Sequence, residues 1–166
     1  MKSFTQAGKY LFRYRAAIAA VFFVILIFYA RPMPSVAPHI FIITGIALRL
    51  WAAGYIGPEA RQREFSTERR IISRPYRIIK HPLYVGNFFL VLGVIILYNP
   101  PRWFGISYII AFIIMYALIA ISEKQYLKGK SQIKASYRFS NLKGEASTLI
   151  VVAAIYAMWI LLAARG

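Results

Sequence analysis

Five stretches of the chain are apolar almost without interruption, at residues 11–30, 36–56, 84–98, 103–122 and 146–164, and the segments between them are polar and mostly basic. A bilayer has about 30 Å of hydrocarbon, which ~20 residues of helix cross at ~1.5 Å each, so the first, second, fourth and fifth runs are long enough to span it. The third is short at about 23 Å, and its start is expected inside the interface. The runs are continuous and rich in Ala, Leu, Ile and Phe, whereas barrel strands alternate polar with apolar positions. The expectation is an all-α polytopic membrane helix bundle with five transmembrane helices, forming a single domain over residues 1–166. The third and fourth spans are joined by only Asn99-Pro100-Pro101-Arg102, so they are expected to form a hairpin. Pro82 suits the first turn of the third helix, where a missing N–H costs nothing, which puts His81 near the N-cap. A partly buried helix start of this kind favours anions.

Composition agrees with the pattern, since a 166-residue chain that is 60% hydrophobic cannot hide that much apolar surface inside a water-facing globule. Charge adds orientation. The formal net charge is +16, and the basic residues are distributed very unevenly. Four lie in the N-terminal stretch (Lys2, Lys9, Arg13 and Arg15), seven between spans two and three, and six between spans four and five. The other side has only Arg31, Arg102 and Arg165, with Arg49 left inside span two. Basic connections stay cytoplasmic, so the N-terminus is expected inside and the C-terminus outside. The excess charge is thereby explained by topology. Anionic headgroups, not nucleic acid, are the expected partner.

All five acidic residues, Glu59, Glu64, Glu68, Glu123 and Glu145, fall on that same side, so carboxylate chemistry is expected there. The chain has no cysteine, and its two histidines, His39 and His81, belong to opposite ends, so no metal site is expected. The first span is longer than a signal-peptide core and is followed by Arg31-Pro32-Met33-Pro34 rather than a small-residue cleavage site, so it is expected to remain in the mature protein. The outer connections are short and proline-rich, whereas the inner ones, Gly57–Lys80 and Glu123–Glu145, are long enough to suggest folded, functional loops.

Pro75-Tyr76, then Lys80-His81-Pro82-Leu83-Tyr84-Val85-Gly86, carries the most specific signal. It resembles the Arg-His-Pro-x-Tyr-x-Gly signature of the isoprenylcysteine carboxyl methyltransferase and phospholipid methyltransferase family, integral membrane enzymes that use S-adenosylmethionine. Leu48–Ala53 is similar to the end of the preceding span in that family, and the resemblance covers about Leu48 to Gly93. Arg74 stands where the family has Gly, and Lys80 where it has Arg. After the fourth span the family's Glu-Glu pair is reduced to Glu123-Lys124, and its aromatic continuation to Tyr126, Gly129 and Tyr137. A further apolar span follows where many members end.

The resemblance implies a cytoplasm-facing methyltransferase acting on an amphiphilic or prenylated acceptor that enters from the membrane lipids. The methyl donor brings its own leaving group, so the protein needs mainly to align donor and acceptor and exclude water. Tyr76, Lys80, His81, Pro82, Tyr84, Gly86 and Glu123 are the expected cofactor-binding residues, with Tyr126 a further aromatic candidate for the adenine. Arg49, His81 and Glu123 are the expected catalytic residues: Arg49 to hold an acceptor carboxylate, His81 or Glu123 to take a proton from an acceptor amine. Each also has a plainer reading. His81 also reads as a helix cap, Arg49 as snorkelling to headgroups, Glu123 as a surface ion pair, Gly86 as a packing residue, and Trp51, Tyr84, Tyr98 and Trp103 as an aromatic belt. Two other functions stay open on the residues alone: a nicotinamide-dependent reductase with a similar His-Pro-x-Tyr turn, and a non-catalytic membrane protein on the same scaffold.

Overall fold

The computed structural model describes residues 2–56 and 69–164. Glu59, Arg61, Arg63, Glu64, Glu68 and Arg165, used above for orientation, lie outside the described residues. Helix makes up 76% of the described residues. Among the described residues four helices are long and apolar enough to cross a membrane, and Pro82–Tyr98 is a shorter apolar one. In chain order the helices are α1 (Lys2–Phe28), α2 (Ala37–Ile56), α3 (Pro82–Tyr98), α4 (Arg102–Tyr126) and α5 (Ala146–Ala163). A 3-10 segment, Phe139–Glu145, leads into α5.

Local chemistry sets the helix ends. α3 begins with Pro82 at its first position, and His81 precedes it with φ −134° and ψ 66°. It stops at Asn99, whose left-handed backbone (φ 45°, ψ 56°) returns its N–H to the Ile95 carbonyl before two prolines forbid continuation. α4 outlasts its apolar run because Glu123-Lys124-Gln125 are good helix formers; Gly129 (φ 82°) lies just beyond its last turn. That extra turn carries Glu123.

Small residues choose the helix pairs. α2 and α3 run antiparallel and nearly touch at three glycines, where an added Cβ on Gly45 would lie 2.8 Å from the Gly86 carbonyl oxygen and one on Gly93 3.0 Å from that of Pro38. Gly8 of α1 packs against Ser122 of α4 in the same manner, and the Phe22 ring of α1 stacks on Tyr108 of α4 at 4.6 Å. The expected α3–α4 hairpin is therefore only half right. Asn99–Pro101 makes the turn, but α3 lies mainly along α2 and α4 mainly along α1, so the two helices part and leave a cleft between the pairs.

At one end the cleft is closed by an apolar cluster of Leu26, Ile42, Val94, Leu97, Tyr98 and Phe104. Tyr98 is fully buried there and donates to the Ile155 carbonyl at 2.8 Å, so it does not belong to an aromatic belt. His39 sits at this end too, with Nδ1 2.7 Å from the Tyr156 hydroxyl of α5. The opposite end gathers the two long connections. Strand β1 (Arg69–Ile71) pairs in parallel with β2 (Ser131–Ile133), and Arg138 N and Asn141 Nδ2 both donate to the Gly54 carbonyl, at 3.0 and 2.9 Å, capping α2. No α5 residue among those described is buried.

Candidate active site

His81 and Tyr84 lie three residues apart at the start of α3, on one face, and their rings stack at 5.2 Å with 4° between planes. The last turn of α4 brings Glu123 against them. Tyr84 donates its hydroxyl hydrogen to Glu123 Oε2 at 2.9 Å, and His81 Nδ1 approaches the same oxygen at 3.2 Å. A carboxylate only accepts, so the neutral tautomer that satisfies this contact is the one with its hydrogen on Nδ1 and its lone pair on Nε2. The His81 and Glu123 side chains are 34% and 28% exposed, which places the group at the mouth of the cleft rather than in its depth.

The cleft has a volume of about 2350 Å³. Its depth is apolar, with Phe22, Phe23, Val94, Phe112 and Ile155 on its walls, and its mouth is cationic, with Arg77, Lys80, Lys124 and Lys128. Among the described lining residues Glu123 is the only acid. Tyr76, Lys80 and Pro82 line the cleft with His81 and Tyr84. Tyr76 also reaches toward the Ala52 carbonyl, at 3.4 Å. Gly86 is placed differently. It lies in the α2–α3 contact, where an added Cβ would meet Arg49 Cγ at 2.7 Å and the Gly45 carbonyl oxygen at 3.0 Å, so it shapes the scaffold rather than the cleft wall. Tyr126 has the Lys130 ammonium over its ring at 4.0 Å.

Arg49 lines the cleft but does not snorkel. It is 8% exposed, and it donates Nε to Oε2 and Nη2 to Oε1 of Glu145, both at 2.9 Å, in a two-pronged ion pair with a carboxylate only 1% exposed. Thr148 donates to the same carboxylate at 2.9 Å. Arg49 Nη1 donates to Asn87 Oδ1, and Asn87 Nδ2 donates to the Tyr116 hydroxyl at 2.8 Å. The sequence does not announce this network. Glu145 carries a signal, since a carboxylate heading an apolar span must find a partner, but nothing local says which. Arg15, which on sequence bears only on orientation, also belongs to the site. It lines the cleft from α1, and its guanidinium lies 3.8 Å from the Phe12 ring centroid.

Residues 34–130 match the family model described as phospholipid methyltransferase. The match takes in α2, α3 and α4, and with them His81, Tyr84 and Glu123, and leaves out α1 and α5. No curated protein and no solved structure matches the chain. The His-Pro-x-Tyr turn, the apolar helices around it and a match over more than half the length agree: the chain belongs to the phospholipid methyltransferase family of membrane enzymes.

Proposed function

We propose that the protein moves a methyl group from S-adenosylmethionine to the polar head of a lipid-like or prenylated acceptor at the cytoplasmic face of its membrane. In this reading all five helices cross as a single domain, with the N-terminus inside and the C-terminus outside. What supports that orientation is that both long basic connections meet at one end through β1 and β2, while Arg31 and Arg102 belong to the other. α3 has 17 residues, about 26 Å of helix, a small mismatch that interfacial placement of its start absorbs.

The observation that carries the proposal is the convergence of His81 and Tyr84 on one carboxylate oxygen of Glu123, at the polar mouth of a cleft whose depth is apolar. The donor set suits the cofactor. Glu123 is the acceptor that an amino-acid ammonium needs. Lys80 and the α3 start, which has no side-chain cap, suit its carboxylate, and Tyr76 offers a ring to the adenine. A cleft of about 2350 Å³ also leaves room for an acceptor tail beside a nucleoside, for which a few hundred Å³ suffice. When bound, S-adenosylmethionine supplies an activated methyl group and keeps the electron pair of the broken carbon–sulfur bond. The residues of the chain then orient and shield. Tyr84 and His81 hold the Glu123 carboxylate in place; the apolar walls keep water from the reacting atoms. For an amine acceptor His81 Nε2 takes the proton, with Glu123 stabilising the charged ring; for a carboxylate no proton moves and the cationic mouth holds the head.

Calorimetric titration of the purified full chain with S-adenosylmethionine and with NADPH, followed by incubation with methyl-labelled donor and membrane lipids, tests this. The expected result is binding of the methyl donor alone and label in the lipid fraction. Binding of NADPH alone would replace the reading with a reductase, and binding of neither would leave a non-catalytic scaffold.

A further inference from the structure

Glu145 lies outside the stretch that matches the family, at the junction of the 3-10 segment and α5, yet it is the most deeply buried charge among the described residues. A buried ion pair returns little net stability, because removing both ions from water costs about as much as their attraction yields. Anchoring α5 is therefore a weak reason for it. Its partners run in a particular direction. From Glu145 the contacts pass to Arg49 at 2.9 Å, to Asn87, and on to the Tyr116 hydroxyl at 2.8 Å. The Tyr116 ring meets Tyr84 edge to face at 5.0 Å and is stacked from behind by Phe112 at 4.3 Å. Tyr84 in turn donates to Glu123 and stacks on His81. Residues from the start of α5 and from α2, α3 and α4 thus form one unbroken sequence of fixed contacts that ends on the carboxylate at the mouth of the cleft.

We propose that Glu145 is a positioning residue for the transfer site, acting through Arg49, Asn87 and Tyr116 to set Tyr84 and with it the Glu123–His81 pair. The proposal rests on the reading of His81, Tyr84 and Glu123 as the reaction centre. On this reading the fifth helix serves to deliver one carboxylate to Arg49. Arg49 is reassigned as well, because its charge is neutralised inside the protein rather than on the acceptor. A single well-placed aromatic ring is the relay, because Tyr116 is clamped at its hydroxyl by Asn87 and on its face by Phe112, and its edge limits how Tyr84 can turn.

The two histidines make the test internal. His81 reports the site and His39, bonded to Tyr156, reports the seating of α5 at the other end. The full chain, labelled with ¹⁵N-histidine in neutral detergent, would be compared with Tyr116→Phe, which cuts the relay without touching the ion pair, and with Glu145→Gln. The expected result is that the His81 ring nitrogens leave the Nδ1–H pattern for a mixed-tautomer average in both variants while the His39 signals stay put. Methyl transfer should fall at least about tenfold in kcat, as a small misplacement of reacting groups predicts. An unmoved His81 in Tyr116→Phe overturns the proposal whatever Glu145→Gln does. Movement of both histidines together in both variants also overturns it, since that assigns the network to holding the bundle. If His81 responds but the wild-type protein does not bind S-adenosylmethionine, the positioning relay stands and the methyl-transfer reading fails instead.

Discussion

Replacing Arg49 with Leu leaves the Glu145 carboxylate, 1% exposed, without its two guanidinium hydrogen bonds. Thr148 still donates to it at 2.9 Å, but a neutral hydroxyl does not balance the charge. Removing one partner of a buried pair typically costs about 3–5 kcal/mol, because the remaining charge stays desolvated. Asn87 also loses a donor, which adds about 1 kcal/mol. For a chain of this length, ~2–4 °C of midpoint per kcal/mol gives a fall of roughly 10 °C or more in thermal unfolding followed by tryptophan fluorescence in detergent. The double replacement Arg49→Leu with Glu145→Leu removes both charges and should recover most of that loss, landing within about 2 kcal/mol of wild type or above it. A single Arg49→Leu variant that melts with the wild type would show that water reaches the pair. A double variant as unstable as the single one would show that shape rather than charge dominates at this contact.

Gly45→Val should destabilise by ~1–3 kcal/mol, since a Cβ there meets backbone atoms of α3, the Gly86 oxygen at 2.8 Å and Leu90 N at 2.9 Å, and backbone cannot step aside; unchanged melting would refute the close α2–α3 contact. Glu123→Gln should weaken S-adenosylmethionine at least about tenfold by calorimetry, the worth of a hydrogen bond to a charged group, while leaving the melting point nearly unchanged because the side chain is 28% exposed. His39→Leu breaks the 2.7 Å contact with Tyr156 at the far end, so it should lower the melting point by a few degrees with no effect on cofactor affinity, and a loss of affinity would contradict the placement of the site.

Much of this architecture is legible one segment at a time. Each apolar run becomes a helix because a chain in lipid must pair its backbone internally, and Pro82 and the Asn99-Pro100-Pro101 turn mark the ends of α3 through backbone geometry that needs no distant partner. The concentration of basic residues in two connections likewise needs only counting, and the pairing of β1 with β2 brings those connections to one end. The lengths differ where local composition is ambiguous: α1 begins at Lys2 rather than 11, and α4 reaches Tyr126 rather than 122, because polar helix formers extend a helix as readily as apolar ones.

Which helices pair is a different matter. Apolar spans are greasy on every face, so their pattern does not say which face packs, and only the spacing of Gly45, Gly86 and Gly93 hints that α3 leaves α4 for α2. That choice opens the cleft. The same is true of the polar contacts inside it. His81 and Tyr84 meet because they are three residues apart on one helix face, but Glu123 joins Tyr84 across 39 residues and Arg49 finds Glu145 across 96, separations over which no periodicity speaks. The sequence by itself determined the solvent of each segment and the chemistry available at one turn. Only the tertiary structure decided which charges neutralise one another, because a buried ion takes whichever partner the packing of the helices brings within hydrogen-bonding reach, here 2.9 Å.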